Sequence, residues 1–352
     1  MENSLYYSDI SQASNTALPW ELLNEKKVLI SGASGMISSV IIDILMKRNR
    51  EYEQKIHIYA ISRNEQKARK RFELYRDNPL FTYISHDITT PLPELGMFDY
   101  ILHAASNTHP RAYAADPIGT ITANVQGTYN LLDYASAHHC KRFFFFSSVE
   151  IYGENKNDAD KFSEDYLGYI DCNTTRAGYC ESKRLGESLC NAFASQKGQD
   201  FIIGRFSRVY GPTMSPEDSK AAAQFIKKAA QGEDIILKSE GNQLYSYTYA
   251  VDAAAAALYL LLKGESKSAV NIADSASDIR LKDLAALLAK ETGTKVVFEL
   301  PDAAEQAGYS TATKAVLDTE KIERLGWKAL TPIEQGLRKT VQILKASMHK
   351  EE

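Results

Sequence analysis

The sequence predicts a doubly wound α/β fold, in which helices cover both faces of a parallel sheet, followed by a smaller C-terminal α/β lobe. Short apolar runs alternate with helix-like segments through the first 200 residues, as in successive β-α-β units. The first run, at residues 26–31, leads through Gly32-Ala33-Ser34-Gly35 into the apolar-periodic segment 36–46. A strand, a glycine turn and a helix in this order present helix N-terminal amides to a pyrophosphate, which indicates a Rossmann-type dinucleotide site.

The bulk composition is that of an ordinary globular protein. With 352 residues and an apolar fraction of 44%, the chain is long enough for one large domain and a smaller one. A formal charge of −4 gives no reason to expect nucleic acid or an anionic membrane as a partner. The four cysteines show no Cys-x-x-Cys spacing and no metal-ligand pattern with the seven histidines, which predicts reduced thiols in a cytoplasmic protein without a metal. No targeting segment or bilayer-spanning run is expected.

Three regions follow from these patterns. Residues 1–25 are expected to form an N-terminal arm that packs on the body through Trp20. Residues 26–204 are expected to form the dinucleotide-binding domain, and residues 205–345 mainly the substrate-binding lobe, with some segments returning to the first domain. The predicted strands of the first domain are 26–31, 56–61, 81–84, 100–103, 142–146 and 201–204.

The second lobe has weaker signals. Asp252 precedes a run of alanines, so it is expected to cap a helix there. Strands are predicted at 270–273 and 295–300, with a helix at 280–292 between them, and these elements are assigned to the cap lobe. A last helix, 332–348, is expected to close the body.

A tyrosine and a lysine in the middle of the chain predict proton-transfer chemistry. Tyr179 and Lys183 are four residues apart, so they share one helix face, and a neighbouring ammonium lowers the pKa of a phenol. Ser148 follows the strand at 142–146, and ligands of open parallel sheets bind at strand ends. These residues predict a tyrosinate that takes a proton from a sugar or alcohol hydroxyl, with Ser148 bonding the reacting oxygen. Without this context, such a tyrosine and lysine are far more often an ordinary exposed helix pair.

The choice of dinucleotide stays open at the end of the second strand. An NAD enzyme usually has Asp or Glu there for the ribose 2′-hydroxyl, whereas this chain has Ser62-Arg63. An arginine at this place is suited to a 2′-phosphate, but Arg63 also fits as the start of the solvated basic helix around residues 67–71. Both NAD and NADP therefore remain candidates.

An ordered series of motifs resembles a known family. The series consists of the glycine turn, Asp87-Ile88, the segments 102–106, 124–130 and 147–153, the Tyr179/Lys183 pair, and 205–212. From about residue 26 to 344 the chain resembles the extended short-chain dehydrogenase/reductases, within the NAD-dependent nucleotide-sugar epimerase/dehydratase group. Segments 163–166, 211–214 and 230–233 are most similar to UDP-glucuronate decarboxylases.

The strand ends and this resemblance together assign the site residues. The cofactor residues are Gly32, Ser34, Gly35, Met36, Ile37, Arg63, Asp87, Ile88, Ala104, Ala105, Ser106, Asn124 and Lys183. The catalytic residues are Ser148, Glu150, Tyr179 and Lys183, and the substrate residues are Ser148, Arg176, Arg208 and Tyr245. The resemblance also implies a homodimer, formed by helix 124–138 and the tyrosine helix.

The chain departs from the family pattern at three positions. The third glycine of the turn is replaced by Ser38. Arg208 stands where the family places Asn, and Tyr245 stands where the family commonly has Arg. One cation gained and one lost suggest a relocated charge for a substrate pyrophosphate or carboxylate, while the alternative for Arg208 is a solvated or ion-paired loop residue.

The resemblance implies that a nucleotide-diphosphate sugar is oxidised to a 4-keto intermediate, with the NAD(P) retained. Dehydratases carry Asp then Glu after the active-site serine or threonine, whereas this chain has Val149-Glu150, so the general acid for dehydration is missing. UDP-glucuronate-type decarboxylation or a related C5-active step is therefore favoured, with Glu150 acting near C5. The alternatives are 4-epimerisation and 4,6-dehydration, then 4-ketoreduction or a non-catalytic NAD(P)-binding regulator, and Glu150 as a structural loop residue.

Overall fold

A parallel sheet forms the centre of the structure, a computed structural model that describes residues 3–108, 110–299 and 312–348. Its strands are β1 Lys27–Ser31, β2 His57–Ser62, β3 Phe81–Ser85, β4 Tyr100–His103, β5 Arg142–Ser148, β6 Phe201–Phe206 and β10 Ser268–Ile272. All neighbours are parallel, in the order β10-β6-β5-β4-β1-β2-β3. The strand order reverses beside β1, so the carboxyl ends of β1 and β4 open a crevice for a ligand.

Helices cover both faces of this sheet and pack against the second lobe. They are α1 Ser4–Ser14, α2 Met36–Glu51, α3 Glu65–Arg71, α4 Pro110–Ala115, α5 Pro117–Ala137, α6 Ala177–Lys197, α7 Ala221–Gln231, α8 Ala250–Lys263, α9 Leu281–Thr292, α10 Glu320–Arg324 and α11 Ile333–Met348. Side chains of β5 alternate between the faces: Phe144 and Phe146 join the core beneath α2 and α8, whereas Phe143 and Phe145 join the core beneath α5 and α6. The predicted doubly wound α/β fold is confirmed.

The second lobe contains a smaller sheet and a separate pair of strands. Its strands are β7 Arg208–Tyr210, β8 Ile235–Leu237, β9 Leu244–Tyr249, β11 Asp278–Arg280, β12 Val296–Phe298 and β13 Lys314–Ala315. Strand β9 pairs with β7, β11 and β13, and β8 pairs with β12. The end of predicted strand 295–300, at residue 300, lies outside the described residues.

Two elements differ from the predictions for this lobe. Strand β10, predicted at 270–273 as part of the cap lobe, instead pairs with β6 at the edge of the main sheet. The helix expected to be capped by Asp252 begins at Ala250. The Asp252 carboxylate accepts hydrogen bonds from the amides of Leu330 and Thr331, so it anchors the chain that leads to α11.

The predicted N-terminal arm is largely helical. Its Trp20 is buried, as expected, and the guanidinium of Arg48 lies 4.7 Å from the Trp20 ring centroid. The arm is anchored more strongly by α1, whose Tyr6 hydroxyl donates to Asp43 of α2 at 2.5 Å. On the same helix, the Asp9 carboxylate accepts from Lys339 of α11 at 2.5 Å. Helix α1 therefore connects the first helix of the main domain with the last helix described.

Candidate active site

A cavity of about 1160 Å³ lies between the main sheet and the second lobe. All but one of the residues assigned to the site from the sequence line it. These are Gly32, Ser34, Gly35, Met36, Ile37, Arg63, Asp87, Ile88, Ala104, Ala105, Ser106, Ser148, Glu150, Arg176, Tyr179, Lys183, Arg208 and Tyr245. The fold thus brings these residues, which are distributed over more than 200 positions of the sequence, to one cavity.

Asn124 is the exception. It was predicted to bind the cofactor, but it is buried between α5 and α6 and is absent from the described residues that line the cavity. Its side-chain amide donates to Ser182 Oγ at 2.8 Å. Asn124 therefore contributes a contact between α5 and the helix that carries Tyr179 and Lys183, while its Oδ1 has no hydrogen-bond partner among the described residues, so its assignment to the cofactor stays a prediction.

The glycine turn fits a dinucleotide pyrophosphate. Gly32 has φ +64°, and a Cβ there would lie 2.7 Å from the Ala105 backbone, so the close approach of the turn to β4 requires glycine. Gly35 is the N-cap of α2, and within the described part of the chain no side chain caps this helix. The first amides of α2 are thereby left open to the cavity, where they suit an anion. Ser38, at the third glycine position, is buried.

The next strand ends place charged groups at one rim of the cavity. Arg63 Nη1 lies 3.9 Å from Asp87 Oδ2, and both side chains are substantially exposed. Asp87 Oδ1 accepts hydrogen bonds from the amide and the hydroxyl of Thr89, each at 2.9 Å. Burial opposes ionisation of Asp87, but the hydrogen bonds from Thr89 and the charge of Arg63 lower its pKa overall. Asp87 is therefore a carboxylate whose Oδ1 accepts two hydrogen bonds and whose Oδ2 faces Arg63.

Tyr179 and Lys183 lie on α6 facing the end of β5, and both are nearly fully buried. Lys183 Nζ donates to the carbonyl of Phe146 at 2.8 Å. Burial lowers the pKa of Lys183 to about 8, against the effect of the nearby Glu187 carboxylate. A lysine of this kind exchanges protons near neutral pH.

The pKa of Tyr179 differs from the sequence prediction. The prediction was a pKa lowered by the Lys183 ammonium, but burial raises the pKa of Tyr179, and only a hydrogen bond from Ser148 acts strongly against it. The cause is the burial of the phenol, which disfavours its charged form.

Ser148 is oriented by its two neighbours. Its Oγ accepts from the Glu150 amide at 3.2 Å, and its hydroxyl hydrogen bonds to Tyr179. Tyr113 of α4, which the sequence analysis missed, stacks on Tyr179 with ring centroids 5.5 Å apart and planes 23° apart. No local pattern marks Tyr113, since it reaches the site only through the position of α4.

Glu150 is held between two arginines. Its Oε2 accepts from Arg176 at 3.1 Å and its Oε1 accepts from Arg208 at 3.1 Å. The Arg208 guanidinium lies 3.8 Å from the centroid of the Tyr245 ring, whose hydroxyl donates to the Ala312 carbonyl at 2.7 Å. Burial acts to raise the pKa of Glu150, but the charges of Arg208 and Arg176 outweigh it and lower that pKa. The cluster carries two cations and one anion.

Both alternatives for Arg208 agree with this geometry. Its guanidinium is ion-paired, as one alternative held, and it also lines the cavity on the face of Tyr245. Arg208, an arginine that the family pattern lacks, and Tyr245, which stands in place of the family's arginine, therefore lie in one cluster. The sequence suggested a relocated charge, but it did not predict that Glu150 would be its partner.

A model of the NAD dependent epimerase/dehydratase family matches residues 28–273, which is more than half of the chain. The chain belongs to this family. The match spans the glycine turn, the catalytic helix and strand β10, so it includes the whole main sheet.

Related proteins have the same architecture. UDP-glucuronic acid decarboxylase 1 of Xenopus tropicalis is 28% identical over 334 residues, which are 94% of this chain and 75% of that protein. A dTDP-glucose 4,6-dehydratase of Streptomyces venezuelae, solved with NAD bound, superposes with a TM-score of 0.79 at 22% identity, covering 92% of this chain and 98% of that one. A UDP-glucuronic acid 4-epimerase of Bacillus cereus, solved with UDP-glucuronic acid and NAD, gives 0.78 at 21%, covering 91% and 99%. At these identities, the two structures show the shared fold.

The family confirms the class predicted from the sequence, an NAD-dependent enzyme of the epimerase, dehydratase and decarboxylase type. Among the described residues, no group of His, Cys, Asp and Glu side chains is arranged to hold a metal ion. The helices in the described part of the chain are also too short or too polar to cross a bilayer.

Proposed function

We propose that this family member decarboxylates a nucleotide-diphosphate uronate of the UDP-glucuronate type through a 4-keto intermediate. The observation that carries the proposal is the pair of guanidinium groups, Arg176 and Arg208, on either side of Glu150. Because two cations face one carboxylate, the wall of the cavity has an excess positive charge beside Ser148 and Tyr179. An anionic substituent at C5 of the sugar complements that charge, whereas a neutral hydroxymethyl group does not.

The residues around Ser148 serve the first step. Tyr179 takes the proton of the 4-hydroxyl, and Ser148 fixes the reacting oxygen by a hydrogen bond. Lys183, with its pKa near 8, restores the charge balance when the phenolate forms. The residues of the glycine turn would hold a dinucleotide that supplies the hydride acceptor for C4 and later the hydride that reduces C4 again, which would make the cycle redox-neutral.

The second step needs little help from a base. The C5–C6 bond of the 4-keto uronate breaks, its electron pair passes into the C4 enolate, carbon dioxide leaves, and a proton returns to C5. Tyr179 and Ser148 stabilise the enolate oxygen by hydrogen bonds. Glu150, with its pKa lowered by two arginines, is a weak base. This favours decarboxylation over dehydration, which requires proton abstraction at C5.

The decarboxylase named among the relatives supports this reaction, and 4-epimerisation of the same uronate is the second candidate. The epimerase needs no free carboxylate, which agrees with the pairing of Glu150. The test is incubation with UDP-, dTDP-, CDP- and GDP-linked hexoses and uronates, followed by mass spectrometry. Loss of carbon dioxide from a uronate supports the proposal. An isomer of unchanged mass identifies an epimerase, and loss of water from a hexose identifies a dehydratase.

Arg208→Gln is expected to weaken binding of a uronate substrate about 10- to 100-fold, because it removes one charge-assisted hydrogen bond to the carboxylate. The corresponding neutral hexose should lose much less. Equilibrium titration of the two nucleotide sugars measures the difference without turnover. Arg184→Gln, on the exposed side of α6, is the matched control. An equal loss for both sugars would show that Arg208 does not contact the carboxylate.

We also propose a homodimer formed by α5 and α6. Ile118, Ile121 and Tyr129 are exposed along one face of α5, and Leu185 is exposed beside them on α6. Tyr129→Glu combined with Leu185→Glu is expected to convert the dimer to a monomer, because charges in a buried apolar interface are costly. Light scattering after size-exclusion chromatography measures the mass. A Glu substitution at exposed Leu74, which lies outside these helices, is the control. A monomeric wild type would exclude this assembly.

The four unpaired thiols support a cytoplasmic location.

A further inference from the structure

The rim of the cavity at the end of β2 lacks the acid that usually binds the adenosine ribose. Strand β2 ends at Ser62, its partner on β3 is Ser85, and β1 ends beside them at Ser31. None of these three strand ends carries a carboxylate. A hydroxyl pair on the ribose therefore finds no strong acceptor at this place.

The nearest carboxylate along this rim, Asp87, is partly engaged. Asp87 Oδ1 is bonded twice by Thr89, and Oδ2 faces Arg63 at 3.9 Å. The Arg63 side chain is 62% exposed and lines the cavity, and 3.9 Å is too long for a good hydrogen bond. Its guanidinium donors therefore remain available to a stronger acceptor.

A second cation lies one helical turn away. Lys67 of α3 lines the same cavity, and its Nζ contacts the hydroxyl of Ser215 in the second lobe at 3.2 Å. The Asn64 side chain accepts from the Lys67 amide at 2.8 Å, which fixes the start of α3 and so the direction of this side chain. Ser34 of the glycine turn completes the lining on the opposite side.

The acidic side chains near α3 are paired with other arginines, so they do not neutralise Arg63 and Lys67. Arg69 is paired with Glu65 on the helix surface, and Arg71 is paired with Asp43 beneath the helix. At the cavity, Arg63 pairs with Asp87, and the Lys67 ammonium contacts Ser215, whose hydroxyl donates to Glu217. Arg63 and Lys67 nevertheless present two exposed cationic groups at this part of the rim, and these groups suit a phosphate that carries nearly two negative charges at neutral pH.

We propose that Arg63 and Lys67 form a subsite for the 2′-phosphate of NADP, so that this chain binds NADP more tightly than NAD. The subsite distinguishes the chain from the NAD dependence by which its family is described. The proposal concerns the dinucleotide alone and does not depend on which sugar is converted.

The test is calorimetric titration of cofactor-free protein with four probes: NADP, NAD, adenosine 2′,5′-bisphosphate and AMP. NADP is expected to bind at least about 10-fold more tightly than NAD, and adenosine 2′,5′-bisphosphate at least about 10-fold more tightly than AMP. One or two charge-assisted contacts to the 2′-phosphate account for a difference of this size. Since neither a sugar nor turnover is involved, the result is separate from that of the proposed decarboxylation. Equal affinities, or tighter binding of NAD, would overturn the proposal.

Variants assign the effect to the two residues. Arg63→Ala and Lys67→Ala should each reduce the affinity for NADP about 10-fold and leave that for NAD within about twofold. Arg63→Asp should reverse the preference, because it restores an acceptor for the ribose hydroxyls. Arg76→Ala, equally exposed and paired with Glu73 outside the cavity, is the control. A preference for NADP that survives both alanine substitutions would place the phosphate elsewhere and refute the subsite.

Discussion

Tyr179→Phe is expected to lower turnover by about 10²- to 10⁴-fold while the fold and dinucleotide binding stay intact. The ring remains stacked against Tyr113 and only the hydroxyl beside Ser148 is lost. Without it, nothing at this point of the cavity takes the 4-hydroxyl proton. Turnover, thermal unfolding and calorimetric cofactor titration measure the three properties on the same sample.

The pH dependence gives a second readout for Tyr179. Because burial raises the pKa of this phenol, the fraction of phenolate increases with pH across the neutral range. The rate of the first oxidation in the wild type should therefore rise with pH, and the residual rate of the phenylalanine variant should not. Tyr113→Phe is the matched comparison, with less than a tenfold loss expected. Near-normal turnover of Tyr179→Phe would disprove the assignment of the base.

Lys183→Met should behave differently from Tyr179→Phe, since it is expected to lower both turnover and cofactor affinity. The Nζ that now donates to the Phe146 carbonyl lies in the cavity, within reach of the dinucleotide site.

Glu150→Gln is expected to allow oxidation of the substrate but to block completion of the reaction. The first step uses Ser148 and Tyr179, neither of which needs the Glu150 side chain, because Ser148 is bonded by the Glu150 backbone amide. The second step depends on the positions of the Arg176 and Arg208 guanidinium groups. A neutral amide bonds well with only one of them and releases the other.

Stopped-flow absorbance of the reduced nicotinamide, together with product analysis, separates the two steps for Glu150→Gln. The expected result is reduced cofactor that forms in a single turnover and then persists. Glu181→Gln, an exposed glutamate on the same helix as Tyr179, is the control and should turn over normally. Unchanged steady-state turnover in Glu150→Gln would make 4-epimerisation the better assignment and Glu150 a structural residue.

The main sheet was predictable because its signals are local. The phenylalanines of β5 form one continuous apolar run, as expected for a strand buried on both faces, and the glycine turn has a spacing that few other structures require. The second lobe was less predictable, since long-range contacts decide it. The sequence around Val270 shows a strand but not its partner, and Asp252 resembles a cap although its hydrogen-bond donors lie about 78 residues later in the chain.

The site residues were predictable one by one, but their electrostatics were not. Spacing places Tyr179 and Lys183 on one helix face, yet the direction of the Tyr179 pKa shift is set by the burial of its phenol. In the same way, Arg176 and Arg208 are far apart in sequence and converge on Glu150 only in the folded chain. Burial and convergence are tertiary properties, and a single sequence does not specify them locally.

The contact between α1 and α11 has a consequence for the order of folding. Asp9 and Lys339 are separated by 330 positions, so their ion pair closes a loop that includes almost the whole chain. During synthesis, α1 emerges first, and its partner on α11 follows only after both lobes have been made. Until then, the hydrogen bond from the Tyr249 hydroxyl anchors Asp9 on the second lobe. The entropy of closing so long a loop makes this contact a late step, and the nascent main domain must persist without it.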